Sequence, residues 1–286
     1  MRAVDFFKTP EGKKYLAEFQ DEIFVIKYGG AALETGSMKR FFLEDVAQMQ
    51  KHGLRIILVH GGGKMLSAKM KEENIEVEFV NGIRKTTERI AELALEVFTL
   101  INIEICEILK EFGINPLSLS EGKTVGAKLI DSENPDNRVG DAVKIDTGRV
   151  DISSLPVLSS IGRSVGPPVD TLEEGSLLNI NADMLALSTA LAIKARKLIF
   201  ISDVNGIYLD HEDKDTKLSR ITESEINNLV EKGVLHGGMR LKVEMALRAL
   251  KNGVRKVHFL DGRIEHSIMK EIFTDEGIGT EIVHDE

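Results

Sequence analysis

One cysteine, no tryptophan, three tyrosines and six prolines stand in a chain of 286 residues. The lone Cys106 excludes an intrachain disulfide and suits a reducing compartment. Its place in the apolar-periodic segment from Leu93 to Leu109 reads as a buried, inert thiol rather than a nucleophile. Basic residues are in deficit, 37 lysines and arginines against 46 acids, for a formal charge of −9. That excludes the broad basic face that nucleic acid or an anionic membrane requires, though not a local basic pocket for a phosphorylated ligand. No run approaches the ~20 apolar residues of a membrane span. The charged N-terminus, Met1 to Gln20, lacks the apolar core of a signal peptide. The expectation is a cytoplasmic protein with neither a nucleic-acid nor a membrane partner.

What is present is an ordinary globular balance, 42% apolar and 29% charged, in a chain long enough for one large domain or two lobes. Short β-rich apolar runs alternate with longer helical patterns, which predicts an α/β fold with an open, mainly parallel sheet between helical layers. The clearest strands are Ile23 to Lys27, Arg55 to His60, Pro156 to Ser160, Lys197 to Ser202 and Lys256 to Leu260. Helical periodicity is strongest at Met38 to His52, Lys64 to Glu73, Thr86 to Glu111, Ala182 to Lys194, Glu223 to Lys232 and Met239 to Asn252. Thr222 with Glu225 has the form of a capping box. The stretch Asn115 to Val150 reads as hairpins inserted at the edge of the parallel sheet. Gly162 to Gly175, with Pro167 and Pro168, reads as a loop and lobe boundary. Pro10 to Gln20 predicts an amphipathic helix with Tyr15, Leu16 and Phe19 on one side, or else a frayed tail.

Five segments, at strand ends and a helix start, carry residues suited to chemistry. Lys27-Tyr28-Gly29-Gly30 ends the first strand with a cation and a flexible turn. His60-Gly61-Gly62-Gly63 opens a helix, where backbone N–H groups and the helix dipole suit an anion. Neither is a Walker A loop nor a dinucleotide glycine motif, and a tight turn alone explains either. Asn179-Ile180-Asn181-Ala182-Asp183 supplies N-caps, and its alternation turns Asn179 and Asn181 to one side of a sheet edge. Ser202-Asp203-Val204-Asn205-Gly206 is an ordinary turn composition that could also hold a nucleotide. In Gly237-Gly238-Met239-Arg240-Leu241-Lys242 a lysine falls in a first helical turn, where the dipole disfavours it unless an anion is near.

Taken in order, with Asn81-Gly82-x-Arg84 and Asp261-Gly262-Arg263, these motifs resemble the amino-acid kinase superfamily, and within it the N-acetyl-L-glutamate kinases. The resemblance runs from about Tyr15 to Val283. It implies a three-layer αβα sandwich in two lobes, about 21–175 for the acyl-amino acid and the dimer contact and about 176–286 for ATP. Residues 1–20 would be an N-terminal helical extension serving oligomerisation. The implied reaction moves the γ-phosphoryl of ATP to the γ-carboxylate of N-acetyl-L-glutamate, with Mg²⁺ carried by ATP and no protein metal ligand assigned. Lys27 and Lys242 match the family lysines that flank the moving phosphoryl, and Asp183 the aspartate that holds both. Gly29, Gly30, Gly62 and Gly63 would supply N–H donors, while Arg84 and Asn179 would hold the substrate. Asp203, Asn205 and Gly206 would line the nucleotide site. The extension and the segment from His266 to Thr280 resemble the arginine-inhibited, hexameric branch, with Tyr15, Glu271 and Gly277 placed as arginine contacts.

Departures from the family pattern fall at Lys64, Lys85, Glu121 and Arg240. Lys64 and Arg240 could be solvated surface side chains, or could point to an acceptor with more negative charge. Three readings remain open on sequence: the acetylglutamate kinase, a sister carboxylate kinase with an N-acetyl-aminoadipate-like acceptor, and a non-catalytic arginine- or nucleotide-sensing subunit.

Overall fold

The first strand, β1 (Ile23–Tyr28), divides its side chains between two layers. Phe24 and Ile26 enter one buried apolar cluster and Val25 the other. The same period of two separates Ile56 and Leu58 from Ile57 and Val59 on β2 (Arg55–His60). Strands that are apolar on both faces need cover on both, so helices must pack above and below the sheet. The computed structural model, which describes all residues except 1, 31–32, 34–35, 81, 167–171, 211–212, 234–236 and 286, has that arrangement.

Before β1 lie α1 (Ala3–Phe6) and α2 (Pro10–Glu18), and α3 (Gly36–Lys51) leads from β1 to β2. Helices α4 (Gly63–Glu72) and α5 (Glu88–Glu111) flank a hairpin of β3 (Phe79–Val80) and β4 (Ile83–Arg84). Then come β5 (Pro116–Leu119), β6 (Val125–Leu129), β7 (Val139–Ile145), β8 (Leu155–Ser159), β9 (Ile161–Ser164) and β10 (Leu177–Ile180). The chain continues through α6 (Ala182–Ala192), β11 (Lys197–Ser202), β12 (Ile207–Tyr208), β13 (Lys217–Leu218) and β14 (Arg220–Thr222). It closes with α7 (Glu223–Glu231), α8 (Gly237–Lys251), β15 (Lys256–Asp261), α9 (Ser267–Ile272) and β16 (Thr280–Val283).

The central sheet has the order β14-β16-β15-β11-β1-β2-β8-β5 and is parallel except where β15 meets β16. One layer is built from α3, α5 and α9, through residues such as Leu43, Ile101 and Met269. The other is built from α6 and α8, through Leu185, Ala186, Val243 and Ala246. The chain leaves β1 toward β2 on one side and returns through α6 to β11 on the other. A crevice therefore opens beyond the C-terminal end of β1, where open α/β sheets bind ligands.

Two expectations change. The middle segment does not add hairpins to the sheet edge: β5 is itself the edge strand of the central sheet, and β6 and β7 pair antiparallel away from it. Strands β6 and β7 instead join β9 and β10 in a small closed barrel. Closure removes the unpaired edge that a free hairpin would expose. The segment from Gly162 is likewise not all loop, because Gly162 to Ser164 belong to β9, which pairs antiparallel with β10; Pro167 and Pro168 lie outside the described residues. The N-terminal extension, by contrast, forms the expected helix, α2, and not a frayed tail. Thr9 caps α2 by accepting from Gly12 N at 2.9 Å, and Phe6, Phe7 and Phe19 are buried in the core beneath α3 and α9. Each such phenylalanine contributes about 1.5–3 kcal/mol by leaving water.

Candidate active site

Side-chain alternation on β1 sets the site. Lys27 shares the face of Val25 and so leans toward α6 and α8, where Asp183 and Lys242 stand. Lys27 Nζ lies 3.0 Å from Asp183 Oδ1, and Lys242 Nζ donates to Asp183 Oδ2 at 2.6 Å. Burial alone would raise the Asp183 carboxyl, but the two ammonium groups outweigh it and hold it down at about 2. Two cations share one carboxylate, so the cluster keeps a net positive charge. Because α8 begins at Gly237, Lys242 sits in its second turn rather than its first. The dipole argument for an anion there is thereby weakened, and the ion pair explains the lysine instead.

Beside this cluster is a cavity of about 290 Å³ lined by Lys27, Gly29, Gly30, Gly62, Gly63, Arg84 and Asn179. Asn181, Ser160 and Phe79 complete its polar floor and apolar rim. Helices α4 and α6 both aim their N-termini at it, capped by Gly62 and by Asn181, whose Oδ1 accepts from Asp183 N at 2.9 Å. A Cβ at Gly62 would come within 2.8 Å of the Phe98 ring, so only glycine lets this backbone lie against α5. Gly30 takes a left-handed φ of 67°, and a side chain there would strike the Asp203 carboxylate. The bared N–H groups and helix dipoles make the cavity an anion site by construction.

Arg84 is 7% exposed, with Nη2 donating to Gly63 O at 2.8 Å and Ser67 Oγ at 2.7 Å. The Phe79 ring covers its guanidinium at 4.8 Å, and burial lowers its pKa. Thr86 ties the two substrate candidates together. Its hydroxyl donates to Arg84 O at 2.9 Å and accepts from Asn179 Nδ2 at 3.1 Å. Sequence reasoning passed over Thr86, because a bond spanning residues 86 and 179 leaves no local signal. Asn81 lies outside the described residues.

The nucleotide candidates flank the cavity rather than line it. Asp203 abuts Gly30, and Asn205 Oδ1 is buried without a hydrogen-bond partner among the described residues. Gly206 leaves room for Thr280, whose Oγ1 accepts from Ile207 N at 2.8 Å. Arg263 braces the turn by donating to Asp203 O at 2.7 Å while paired with Asp261. Its Asp-Gly-Arg motif was visible in the sequence, but its role as a strut was not.

Glu271 and Gly277 pack together at α9, and Tyr15 reaches the same loop through Asp275. Tyr15 Oη donates to Asp275 Oδ1 at 2.6 Å, and a Cβ on Gly277 would stand 3.0 Å from Glu271 Oε2. Glu271 accepts from His258 Nδ1 at 2.7 Å and from the amides of Ile278 and Gly279. Burial opposes its charge, but these bonds hold its carboxyl at about 2. Of the four departures, only Lys64 lines the cavity. Arg240 pairs with Glu244 on the exposed side of α8, Lys85 with Glu78, and Glu121 with Lys123, so these three are surface pairs. Cys106 is buried, and burial pushes its thiol up to about 11, as an inert residue requires.

An open α/β sheet with paired lysines on one aspartate and a glycine-lined anion pocket defines a phosphotransferase of the αβα type. The chain belongs to the Amino acid kinase family, whose profile matches residues 22–261. It is 38% identical over 275 residues to the acetylglutamate kinase of Campylobacter fetus, covering 94% of each chain. It is 36% identical over 293 residues to that of Aquifex aeolicus, covering 95% of each. Among solved structures, N-acetylglutamate synthase from Neisseria gonorrhoeae shares the fold at TM-score 0.83 and 23% identity. That match takes in 99% of this chain and 64% of the synthase. Giardia carbamate kinase shares it at TM-score 0.70 and 16% identity, over 93% of this chain and 99% of the kinase.

Proposed function

We propose that this chain transfers the γ-phosphoryl group of ATP to the γ-carboxylate of N-acetyl-L-glutamate, a step of arginine biosynthesis. The carrying observation is the Lys27–Asp183–Lys242 cluster at the mouth of an anion cavity that also holds Arg84. A carboxylate oxygen of the acceptor attacks the γ-phosphorus, and the bond to the bridging oxygen breaks with its electron pair leaving on ADP. Both reactants are anions, so the barrier falls where fixed positive charge meets the transferring group. Lys27 and Lys242 supply that charge, Asp183 positions both lysines, and the N–H groups of Gly29, Gly30, Gly62 and Gly63 receive the equatorial oxygens. Arg84, its Nη2 anchored on Gly63 O and Ser67 Oγ, offers its charge and remaining N–H groups to the α-carboxylate, and Asn179 a further donor or acceptor.

ATP would lie across Asp203, Asn205 and Gly206, where the unpartnered Asn205 Oδ1 offers an acceptor. Among the described residues no cluster of His, Cys, Asp and Glu is arranged to hold a metal ion. Mg²⁺ would enter with the nucleotide, as MgATP. The lobes would divide near residue 175, with acceptor recognition before it, Asn179 excepted, and nucleotide recognition after it. The test is ADP release with MgATP and N-acetyl-L-glutamate, set against N-acetyl-aminoadipate in its place. Turnover with the longer acceptor alone would favour the sister kinase, with Lys64 as the first residue to examine.

A regulatory reading stands beside this one, favoured by the loop after α9, where Tyr15 bonds Asp275 and Gly277 packs against Glu271. L-arginine would bind there and inhibit, in a homo-oligomer, dimer or hexamer, whose N-terminal helices take part. Turnover that L-arginine suppresses in the wild type but not in Glu271→Gln would support it, and equal suppression in both would count against it.

A further inference from the structure

His60 ends β2, immediately before the glycine turn, and its ring is wholly buried. By the alternation that separates Ile56 and Leu58 from Ile57 and Val59, it faces α5 and not the cavity. There it meets Asn102, an amide in the middle of an otherwise apolar helical face. Asn102 Nδ2 donates to Val157 O at 2.8 Å, and its Oδ1 accepts from Ser118 Oγ at 2.7 Å. These two bonds fix the orientation of the amide, so the group 3.0 Å from His60 Nε2 is the Nδ2 donor. Nε2 must therefore accept, the ring proton sits on Nδ1, and Nδ1–H donates to Gly61 O at 2.9 Å.

That bond bears on the active site through the planarity of one peptide. Across the trans bond from Gly61 to Gly62 the C=O and N–H point in opposite directions. Holding the carbonyl toward the core therefore turns the Gly62 N–H outward, and Gly61, Gly62 and Gly63 all line the cavity. Glycine has no side chain to hold such a peptide in place, so something else must set its angle. We infer that His60, oriented by Asn102 and Ser118, is a positioning residue for phosphoryl transfer that fixes the Gly62 N–H as an oxyanion donor. The inference rests on the phosphotransfer reading for its chemistry, though not for its geometry. Burial also pushes the imidazole down to about 4, so the ring stays neutral and keeps this tautomer at working pH.

Two measurements test it. The first is ¹⁵N–¹H NMR of the histidine rings of the wild-type chain, with His60→Phe used to assign one of the seven. The expected result is a proton on Nδ1 and none on Nε2 at neutral pH. A proton on Nε2 would overturn the inference whatever the substrate proves to be. The second is steady-state turnover of His60→Phe, His60→Asn and His60→Gln. Asparagine places its amide donor where Nδ1 lies, whereas glutamine reaches only the position of Nε2. In folded protein His60→Phe should lower kcat on the order of 10- to 100-fold, with KM for MgATP held within about twofold. His60→Asn should recover most of the loss and His60→Gln little of it. Wild-type kcat in His60→Phe, or equal losses in the asparagine and glutamine variants, would reduce His60 to core packing. Absence of acceptor-dependent turnover in the wild type would instead count against the phosphotransfer reading and leave the ring measurement to decide.

Discussion

Lys27, Asp183 and Lys242 come from three separate elements, and each would be costly to bury alone. Together they hold an ionised carboxylate between two cations, and removing one cation removes transition-state charge without opening the core. Lys242→Ala should therefore stay folded and lose kcat on the order of 10²–10³. Near-normal turnover in steady-state assays would end its assignment. The same cluster gives a pH signature. The Asp183 carboxyl, 3.8 when unperturbed, is held at about 2 in the folded chain. Its contribution, on the order of 2 kcal/mol, is present above pH ~4 and is lost as pH falls toward 2. Urea unfolding across that range should show the loss in the wild type and its absence in Asp183→Asn.

Elements carry their positions through a few buried polar joints. One is His266 Nδ1 against Asp45 Oδ1 at 2.5 Å, which locks the start of α9 to α3, with the Phe6 ring of α1 edge-on to the imidazole. Asp45 holds the imidazole charged beyond its ordinary range by hydrogen bonding to it. Burial pushes the Asp45 carboxyl up to about 7, so in His266→Ala it would take up a proton, and the lost hydrogen bond should cost on the order of 1–3 kcal/mol, read as a lower urea midpoint. Most elements were legible because their signals are local. β1, β2 and β11 are near-continuous apolar runs, and Thr222 with Glu225 forms the capping box its spacing predicts. The barrel was illegible because its closure rests on distant pairings such as Asn179 with Val139, which no stretch of sequence displays. Asn102 and His60 were hidden for the same reason. An amide in an apolar helix looks like an imperfection until its four partners, His60, Val157, Ser118 and Cys106, are in place.

At the scale of the whole molecule the two ends of the chain share one layer. Phe6, Phe7 and Phe19 from the start and Ile272 and Phe273 near the end enter the same cluster. Deleting residues 1–20 would strip that cluster as well as any regulatory contact. A lower melting temperature is therefore expected, and an unchanged one would contradict the packing described. Motif by motif the glycines read as possible turns, and only the family resemblance joined them to Lys27, Lys242 and Asp183; what unites Lys27 and the glycine turns physically is the parallel register of β1 with β2 and β11, which places them at one sheet edge. The most direct test of the account is ADP release by the intact chain with MgATP, measured with and without N-acetyl-L-glutamate. Acceptor-dependent release is expected. A folded chain that binds MgATP yet releases no more ADP when the acceptor is added would contradict it.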